Sequence, residues 1–156
     1  MVHNDVLRSL RYMLDISDKK VVEIIKLGGM DVALADVVTW LDKKEEDEEG
    51  FVRCPDEVIA HFLDGLVIFK RGKDESRPPQ PIEVPVTNNI ILKKLRVAFE
   101  LKEDDMHAIL KAAEFPVSKP ELSALFRKVG HTNYRPCGDQ LLRNFLKGLT
   151  LRVRPA

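Results

Sequence analysis

The strongest constraint on this chain is a stretch of thirteen residues that occurs twice. Residues 54–66 align with residues 137–149, and six of the thirteen positions carry the same residue. Two unrelated stretches of ordinary composition would share about one. The identical pairs are Cys54 and Cys137, Asp56 and Asp139, Phe62 and Phe145, Leu63 and Leu146, Gly65 and Gly148, and Leu66 and Leu149. The chain is therefore predicted to be a tandem duplication of one small unit.

The earlier parts of the two copies also correspond, at a separation of 85 residues. The identical pairs include Asn4 and Asn89, Leu7 and Leu92, Leu10 and Leu95, Arg11 and Arg96, and Ile24 and Ile109. Most other pairs exchange one apolar residue for another, as Leu14 and Phe99 do. Apolar positions thus agree better than polar ones, which is the pattern that a shared core requires.

Hydrophobic periodicity predicts four helices in each copy. In the first copy we expect a helix over roughly 5–14 capped by Asn4, a second from Ser17 or Asp18 to Gly28, a third over about 34–43 and a fourth from Pro55 to about Lys70. The third helix of the second copy has a fuller start signal, a capping box that begins at Ser118. Because no stretch shows sustained β alternation, the predicted fold class is all-α, with two pseudo-repeated bundles of about four helices each.

The shared residues of the fourth helix are interpreted as a structural signature. They would start the helix, bury one of its faces and let it pack closely against a neighbour. The signature consists of Cys54, Asp56, Phe62 and Gly65 in the first copy and of Cys137, Asp139, Phe145 and Gly148 in the second. Function is then expected where the copies differ.

Two local differences stand out between the copies. Five consecutive acids at 45–49 are replaced in the second copy by a loop that runs from His131 to Arg135. On the fourth helix, Ala60 and Asp64 are predicted to form a bare face in the first copy, and the second copy places Arg143 and Lys147 at the same positions.

The region between the copies is rich in proline. Residues 71–87 contain four prolines and no helical periodicity, which predicts an extended, semi-rigid linker. The predicted organisation is an acidic helical repeat over 1–72, a proline-rich linker over 73–87 and a basic helical repeat over 88–156. With roughly 75 residues each, neither repeat buries a large core alone, which favours a shared interface.

The two repeats differ in charge although the whole chain is neutral. Residues 1–72 carry a net charge of −5, and residues 88–156 carry a net charge of +6. The halves could pack on each other, within one chain or as a homo-oligomer, or they could meet different partners.

Several functional classes lack support in the sequence. The apolar runs are far shorter than the roughly 20 residues of a membrane span, and the amino terminus lacks a signal-peptide pattern. A cytoplasmic protein without membrane association is therefore expected. No catalytic triad, carboxylate pair, phosphate-binding glycine loop or zinc-ligand spacing occurs. We expect neither an enzyme nor a cofactor or metal site.

The two cysteines leave a redox role open. Cys54 and Cys137 each lie at a helix start close to an arginine, where the helix dipole and a cation would favour a thiolate. The alternative interpretation is that a small, half-apolar residue fills the helix start in both copies. A pairing of Cys54 with Cys137 is also open.

Nucleic-acid binding has more support than catalysis. In each copy the second helix, a turn and the third helix (18–43 and 103–128) have helix-turn-helix proportions. The candidate contacts to nucleic acid or to a partner are Lys119, Arg127, Lys128, His131, Arg135, Arg143 and Lys147. The acidic run at 45–49 and the proline-rich linker favour the alternative, a protein–protein interaction adaptor without nucleic-acid binding.

Four stretches of the sequence resemble a known family. They are Glu-Glu-Gly-Phe-Val-Arg-Cys-Pro-Asp at 48–56, Lys-Arg-Gly-Lys-Asp-Glu-Ser at 70–76, Asn-Asn-Ile-Ile-Leu-Lys-Lys-Leu-Arg at 88–96 and Cys-Gly-Asp-Gln-Leu-Leu-Arg-Asn-Phe-Leu-Lys-Gly-Leu at 137–149. These stretches are similar to the YehS-like family of uncharacterised bacterial proteins, which contain two copies of a domain of unknown function. The resemblance covers essentially the whole chain and implies a bacterial, cytoplasmic protein. It supplies no catalytic or binding residues.

Overall fold

The computed structural model describes residues 1–76 and 81–154, and every regular element in these ranges is an α-helix. The helices are α1 (His3–Leu14), α2 (Asp18–Leu27), α3 (Leu34–Leu41), α4 (Asp56–Arg71), α5 (Asn88–Ala98), α6 (Glu103–Ala112), α7 (Lys119–Leu125) and α8 (Asp139–Val153). They form two compact units, unit 1 (Met1–Val86) and unit 2 (Thr87–Ala156), with four helices in each. The predicted all-α class and the two repeated helical units are confirmed.

Unit 1 is built around α4, which packs against α2 and α1, while α3 packs on α1 and α2. Its buried side chains recur at helical spacing: Val6, Leu7, Leu10 and Met13 on α1, Val21, Ile24 and Ile25 on α2, Val37 and Trp40 on α3, and Val58, Ile59, Phe62, Leu63 and Leu66 on α4. Burying one side chain of this size contributes about 1.5–3 kcal/mol. The apolar pattern of each helix therefore determines which face points inward.

Unit 2 repeats this arrangement, with α8 packed against α6 and α5. The buried side chains occupy matching positions: Ile91, Leu92 and Leu95 on α5, Met106, Ile109 and Leu110 on α6, Leu122 and Leu125 on α7, and Leu142, Phe145, Leu146 and Leu149 on α8. The duplication in the sequence thus corresponds to a duplicated core.

Two matched glycines allow the closest helix contacts. A methyl group at Gly65 would lie 1.8 Å from the carbonyl oxygen of Ile24, and a methyl group at Gly148 would lie 2.1 Å from that of Ile109. Neither distance is sterically allowed. Glycine therefore lets α4 lie directly against α2, and α8 directly against α6.

Two predicted helix starts, at Ser17 and Ser118, are confirmed. The Ser17 hydroxyl accepts a hydrogen bond from the Lys20 N–H at 3.1 Å. At the start of α7, the Ser118 hydroxyl accepts from the Glu121 N–H at 3.3 Å, and the Glu121 carboxylate accepts from the Ser118 N–H at 3.2 Å. These side chains satisfy N–H groups that have no partner within the helix.

The predicted capping role of Asn4 is wrong. Val2 occupies the N-cap position of α1, and Asn4 lies inside the helix, where it is 1 % exposed. Three further burial predictions also fail. The apolar periodicity of α2 and α3 predicts that Leu27 and Val38 lie in the core, but both are exposed, whereas Ala60, predicted on a bare face, is buried.

The predicted linker over 73–87 includes residues 77–80, which lie outside the described residues. At its end, Val86 is buried, and its N–H donates to both carboxylate oxygens of Asp56 at 3.0 Å. The His3 ring nitrogen Nε2 lies 2.7 Å from the same carboxylate. Asp56 therefore connects the start of α4 with the start of α1 and with the end of unit 1.

None of the helices within 1–76 and 81–154 has the length and apolar character that a membrane crossing requires.

Candidate functional site

A groove in unit 2 brings together part of the predicted basic site. It has a volume of about 500 Å³ and lies between α7 and the segment that follows it. Its lining residues are Pro120, Ser123, Ala124, Arg127, Thr132, Asn133, Tyr134 and Arg135. We call it the α7 groove. No Asp or Glu is among these lining residues.

Two turns shape the segment that closes the α7 groove. The His131 N–H donates to the Lys128 carbonyl at 3.0 Å, and the Tyr134 N–H donates to the His131 carbonyl at 3.0 Å. The chain then returns to α7, where the Arg135 N–H donates to the Ala124 carbonyl at 3.1 Å. Tyr134 and Arg135 are thus held opposite the end of α7.

The side chain of Asn89 holds the backbone at Arg135, on the segment that closes the α7 groove. Its amide donates to the Arg135 carbonyl at 2.9 Å and to the Leu125 carbonyl at 3.0 Å. Its carbonyl oxygen accepts from the Cys137 N–H at 2.8 Å. Because one side chain joins α5, the end of α7 and the approach to α8, the backbone at Arg135 is held in place. Sequence reasoning missed this role, although the matched pair of Asn4 and Asn89 was a signal for it.

The charge at the groove comes from two exposed arginines. Arg127 follows α7, and Arg135 faces it from the returning segment. Hydrogen bonds from the Ser118 side chain and backbone lower the pKa of Glu121, and the positive charge of Arg135 lowers it further. Glu121 is therefore ionised at neutral pH and offsets part of the charge of Arg135, whereas no carboxylate lines the groove itself.

A smaller cleft of about 290 Å³ adjoins the α7 groove and shares Ser123 and Arg127 with it. The Arg96 guanidinium lies over the Phe126 ring, 4.7 Å from its centroid, and both residues line this cleft. The Arg96 Nε also donates to the Leu101 carbonyl at 3.2 Å. Arg96 is thus a third cation beside the end of α7, held by the ring and by the backbone.

Of the seven predicted contacts, only Arg127 and Arg135 line the groove. Lys119 is exposed at the start of α7, and Lys128 is exposed just beyond its end. The exposed His131 ring accepts a hydrogen bond through Nδ1 from the Asn133 N–H at 3.0 Å, so it helps to shape the turn. Tyr134, which is not among the predicted contacts, is the lining residue with an aromatic ring.

The other two predicted contacts lie on α8. Arg143 and Lys147 are exposed, four residues apart on one helix face, and neither lines the groove. The structure therefore separates the seven residues into a groove pair, an α8 pair and three residues at or beyond the ends of α7.

The third helix is shorter than predicted in both units. In unit 1, α3 ends at Leu41, and in unit 2, α7 has seven residues and ends at Leu125. Lys119 is the one basic residue within α7, since Arg127 and Lys128 follow its end. Two of these three basic residues thus lie on the segment after the helix.

The cysteines do not have reactive surroundings. Both are free and buried. Burial raises the pKa of Cys54 to about 12, with a further contribution from the negative charge of Asp56. Burial, followed by the charge of Asp139, raises the pKa of Cys137 to about 11. Both thiols are therefore protonated at neutral pH, which is unfavourable for nucleophilic or redox chemistry.

Metal ligands do not converge in the described part of the chain. Within 1–76 and 81–154, no group of three or more His, Cys, Asp or Glu side chains is placed to hold a metal ion.

Comparison with known proteins identifies relatives along almost the whole chain. The model of a family described as "Protein of unknown function (DUF1456)" matches residues 3–72 and again residues 88–154. The "Uncharacterized protein YehS" of Escherichia coli (strain K12) is 51 % identical over 152 residues, which cover 97 % of this chain and 96 % of the relative. No solved structure matches the chain. The chain therefore belongs to this family of proteins of unknown function, with one copy of the family's domain in each matched segment.

Proposed function

We propose that the chain is a non-enzymatic binding protein whose second unit binds nucleic acid in the α7 groove. The observation that carries the proposal is the groove itself, where Arg127, Arg135 and Tyr134 all line one space of about 500 Å³. Arginine binds phosphate oxygens through two parallel hydrogen bonds, and an aromatic ring stacks on bases. A groove with both groups and no lining carboxylate suits a phosphate-linked chain of bases.

A single strand fits this geometry better than a duplex. Reading the major groove of a duplex requires a helix that presents several side chains to base edges. α7 has only seven residues, and Lys119 is its one basic residue. A groove that combines arginines with a tyrosine is instead typical of sites that follow one backbone and stack its bases.

The decisive experiment compares two charge reversals of equal size. Arg127→Glu/Arg135→Glu removes the groove arginines, whereas Arg143→Glu/Lys147→Glu makes the same change in net charge on α8. We expect the groove variant to bind a labelled single-stranded oligonucleotide at least about tenfold more weakly at low salt. The slope of log affinity against log salt should fall by about 1.4, as for two lost phosphate contacts. Fluorescence anisotropy across a salt series measures both quantities.

The α8 variant is the matched control and should keep most of the affinity. Circular dichroism and a thermal melt of both variants verify that they remain folded. The proposal fails if the wild-type protein does not bind single strands at low salt, or if the two variants lose affinity equally.

Tyr134 tests the stacking part of the proposal. Tyr134→Ala should weaken binding by about 1–3 kcal/mol, whereas Tyr134→Phe keeps the ring and should bind nearly as well as wild type. Tyr12→Ala removes the other tyrosine, on α1 of unit 1, and should have no effect. Equal losses from all three variants would contradict a stacking role.

The adaptor function is the second candidate, because Leu34 and Val38 of α3 are exposed apolar residues and the exposed acids at 45–49 follow this helix along the chain. A wild-type protein that ignores nucleic acid but associates with another protein chain would support it.

A further inference from the structure

Unit 1 exposes apolar side chains where unit 2 is polar. Leu34 and Val38 lie four residues apart on one face of α3, and they are 47 % and 48 % exposed. We call this pair the α3 face. The matching residues of unit 2, at a separation of 85, are Lys119 and Ser123. The same two positions of the shared fold are thus apolar in unit 1 and polar in unit 2.

Acidic residues follow the α3 face along the chain. The run at 45–49, which we call the acidic segment, begins four residues after α3 ends at Leu41. Its members are all exposed, and Glu46 forms an ion pair with Arg53. Lys43 and Lys44 precede the segment, but residues 42–49 together carry a net charge of −4. Exposed apolar side chains on α3 are therefore followed closely along the chain by exposed negative charge.

α8 of unit 2 has the complementary composition. Arg143, Lys147 and Leu151 are spaced four residues apart, and all three are exposed, Leu151 by 51 %. The opposite face of α8 is buried through residues such as Leu142, Phe145 and Leu149. We call the three exposed residues the α8 stripe. It combines two positive charges with one apolar side chain.

We infer that the α3 face and acidic segment of one molecule bind the α8 stripe of a second copy of the same chain. Leu34 and Val38 would contact Leu151, while acids of the segment pair with Arg143 and Lys147. Every molecule carries both complementary surfaces, so each copy can bind another copy of the same chain. The net charges of −5 over residues 1–72 and +6 over residues 88–156 favour the encounter.

The association should be weak and dependent on salt. One helix face and one stripe are small compared with the roughly 1,200–2,000 Å² that stable interfaces bury. Exposed ion pairs are screened as ionic strength rises, because the Debye length falls from about 10 Å at 0.1 M to about 3 Å at 1 M. The contact joins two different surfaces. If the same two molecules make it twice, they form a closed two-fold dimer; otherwise each molecule binds the next and longer chains form.

The matching residues of unit 2 provide a variant that tests the apolar part of the proposed contact. Leu34→Lys/Val38→Ser places the unit 2 residues on α3, at positions that are exposed and therefore tolerant of polar side chains. Arg143→Glu/Lys147→Glu reverses the α8 stripe, and Arg127→Glu/Arg135→Glu makes the same charge change in the α7 groove. Light scattering after size exclusion and sedimentation equilibrium give the mass over a concentration series at low and high salt.

We expect the wild-type mass to rise with concentration at low salt from 17.8 kDa towards twice that value or beyond, and to fall again at high salt. The α3 and α8 variants should each associate at least tenfold more weakly, whereas the α7 groove variant should behave like wild type. A fourth variant adds Glu45→Lys/Glu49→Lys to the reversed α8 stripe, and association should return because both charges are exchanged.

A wild-type protein that keeps a mass of 17.8 kDa at all concentrations would overturn the inference. Association that is lost in the α7 groove variant but kept in the other two would also overturn it, since another surface would then be responsible. Failure of the charge-exchanged variant to associate, when it is folded by circular dichroism, would exclude the proposed pairing. None of these results depends on whether the α7 groove binds nucleic acid.

Discussion

Asn4 and Asn89 connect the same three segments in the two units. The Asn4 amide donates to the Trp40 carbonyl at 3.1 Å and to the Val52 carbonyl at 2.8 Å, and its carbonyl oxygen accepts from the Cys54 N–H at 2.7 Å. Asn89 makes the corresponding contacts in unit 2. Only a side chain with two donors and an acceptor can make all three bonds. Each asparagine therefore holds the first helix, the end of the third and the entry to the fourth together.

Asn4→Ala should destabilise the protein by about 2–4 kcal/mol, because two carbonyl groups and the buried Cys54 N–H lose their partner. Asn89→Ala should cost less, since Asn89 is half-buried whereas Asn4 is 1 % exposed. Urea unfolding followed by circular dichroism measures both values. Asn144→Ala is the control: within the described residues its side chain bonds to the Gln140 carbonyl one turn earlier, and the change should cost less than about 0.5 kcal/mol. Equal effects of Asn4→Ala and Asn144→Ala would contradict the structural role of Asn4.

The sequence could not have shown how these asparagines act. Asn4 stands near a helix start, and local preference predicts an N-cap there. Its actual partners are 36–50 residues away, at positions that become neighbours only after the unit has folded. The repeat pattern marked the pair as shared, but it could not name the partners. The same limit applies to Arg135, whose position at the α7 groove depends on Asn89.

At the scale of the helix, each unit contains the same close contact between its second and fourth helices. The units differ in the third helix. Gly65 and Gly148 permit direct backbone approach between the fourth and second helices of each unit. Periodicity predicted the number and order of these helices, since apolar faces recur at a spacing that only a helix can bury. It did not fix where α3 and α7 end, and both stop two or more residues early. Because α7 ends at Leu125, Arg127 and Lys128 lie on the segment after the helix and not, as was predicted, within it.

Gly65→Ala and Gly148→Ala should each destabilise the protein by about 1–3 kcal/mol, because the new methyl group forces the paired helices apart. The helical preference of alanine offsets about 1 kcal/mol of the steric cost. Gly138→Ala is the control, since its φ of −71° suits alanine and nothing lies within 4 Å of the added methyl. Its cost should stay below about 1 kcal/mol, through the weaker N-cap preference of alanine.

Urea unfolding of the three glycine variants checks this prediction. If Gly65→Ala is as stable as Gly138→Ala, α4 can move away from α2 without loss, and the close contact is not a source of stability.

At the scale of the whole molecule, the two units have matching but separate cores and present different surfaces. The difference in charge between the two halves could be counted from the sequence alone. The sequence could not predict that Leu34 and Val38 are exposed, because apolar residues at helical spacing are usually buried. The helix position that carries Lys119 and Ser123 in unit 2 is apolar in unit 1. In the two proposals made above, this helix serves a polyanion in unit 2 and a protein surface in unit 1.

Neutralising part of the acidic segment should change both proposed interactions in opposite directions. Glu45→Gln/Asp47→Asn/Glu49→Gln leaves Glu46, which pairs with Arg53, and Glu48, whose carboxylate accepts from the Glu45 N–H at 3.1 Å. Self-association should weaken, because the α8 stripe loses its opposite charges. Binding of a single strand at low salt should strengthen, since the chain gains net positive charge and attracts the phosphates over a longer range. Sedimentation equilibrium and anisotropy on the same preparation measure the two effects. Tighter nucleic-acid binding with unchanged self-association would show that the acids act only through net charge, and it would remove the acidic segment from the proposed contact.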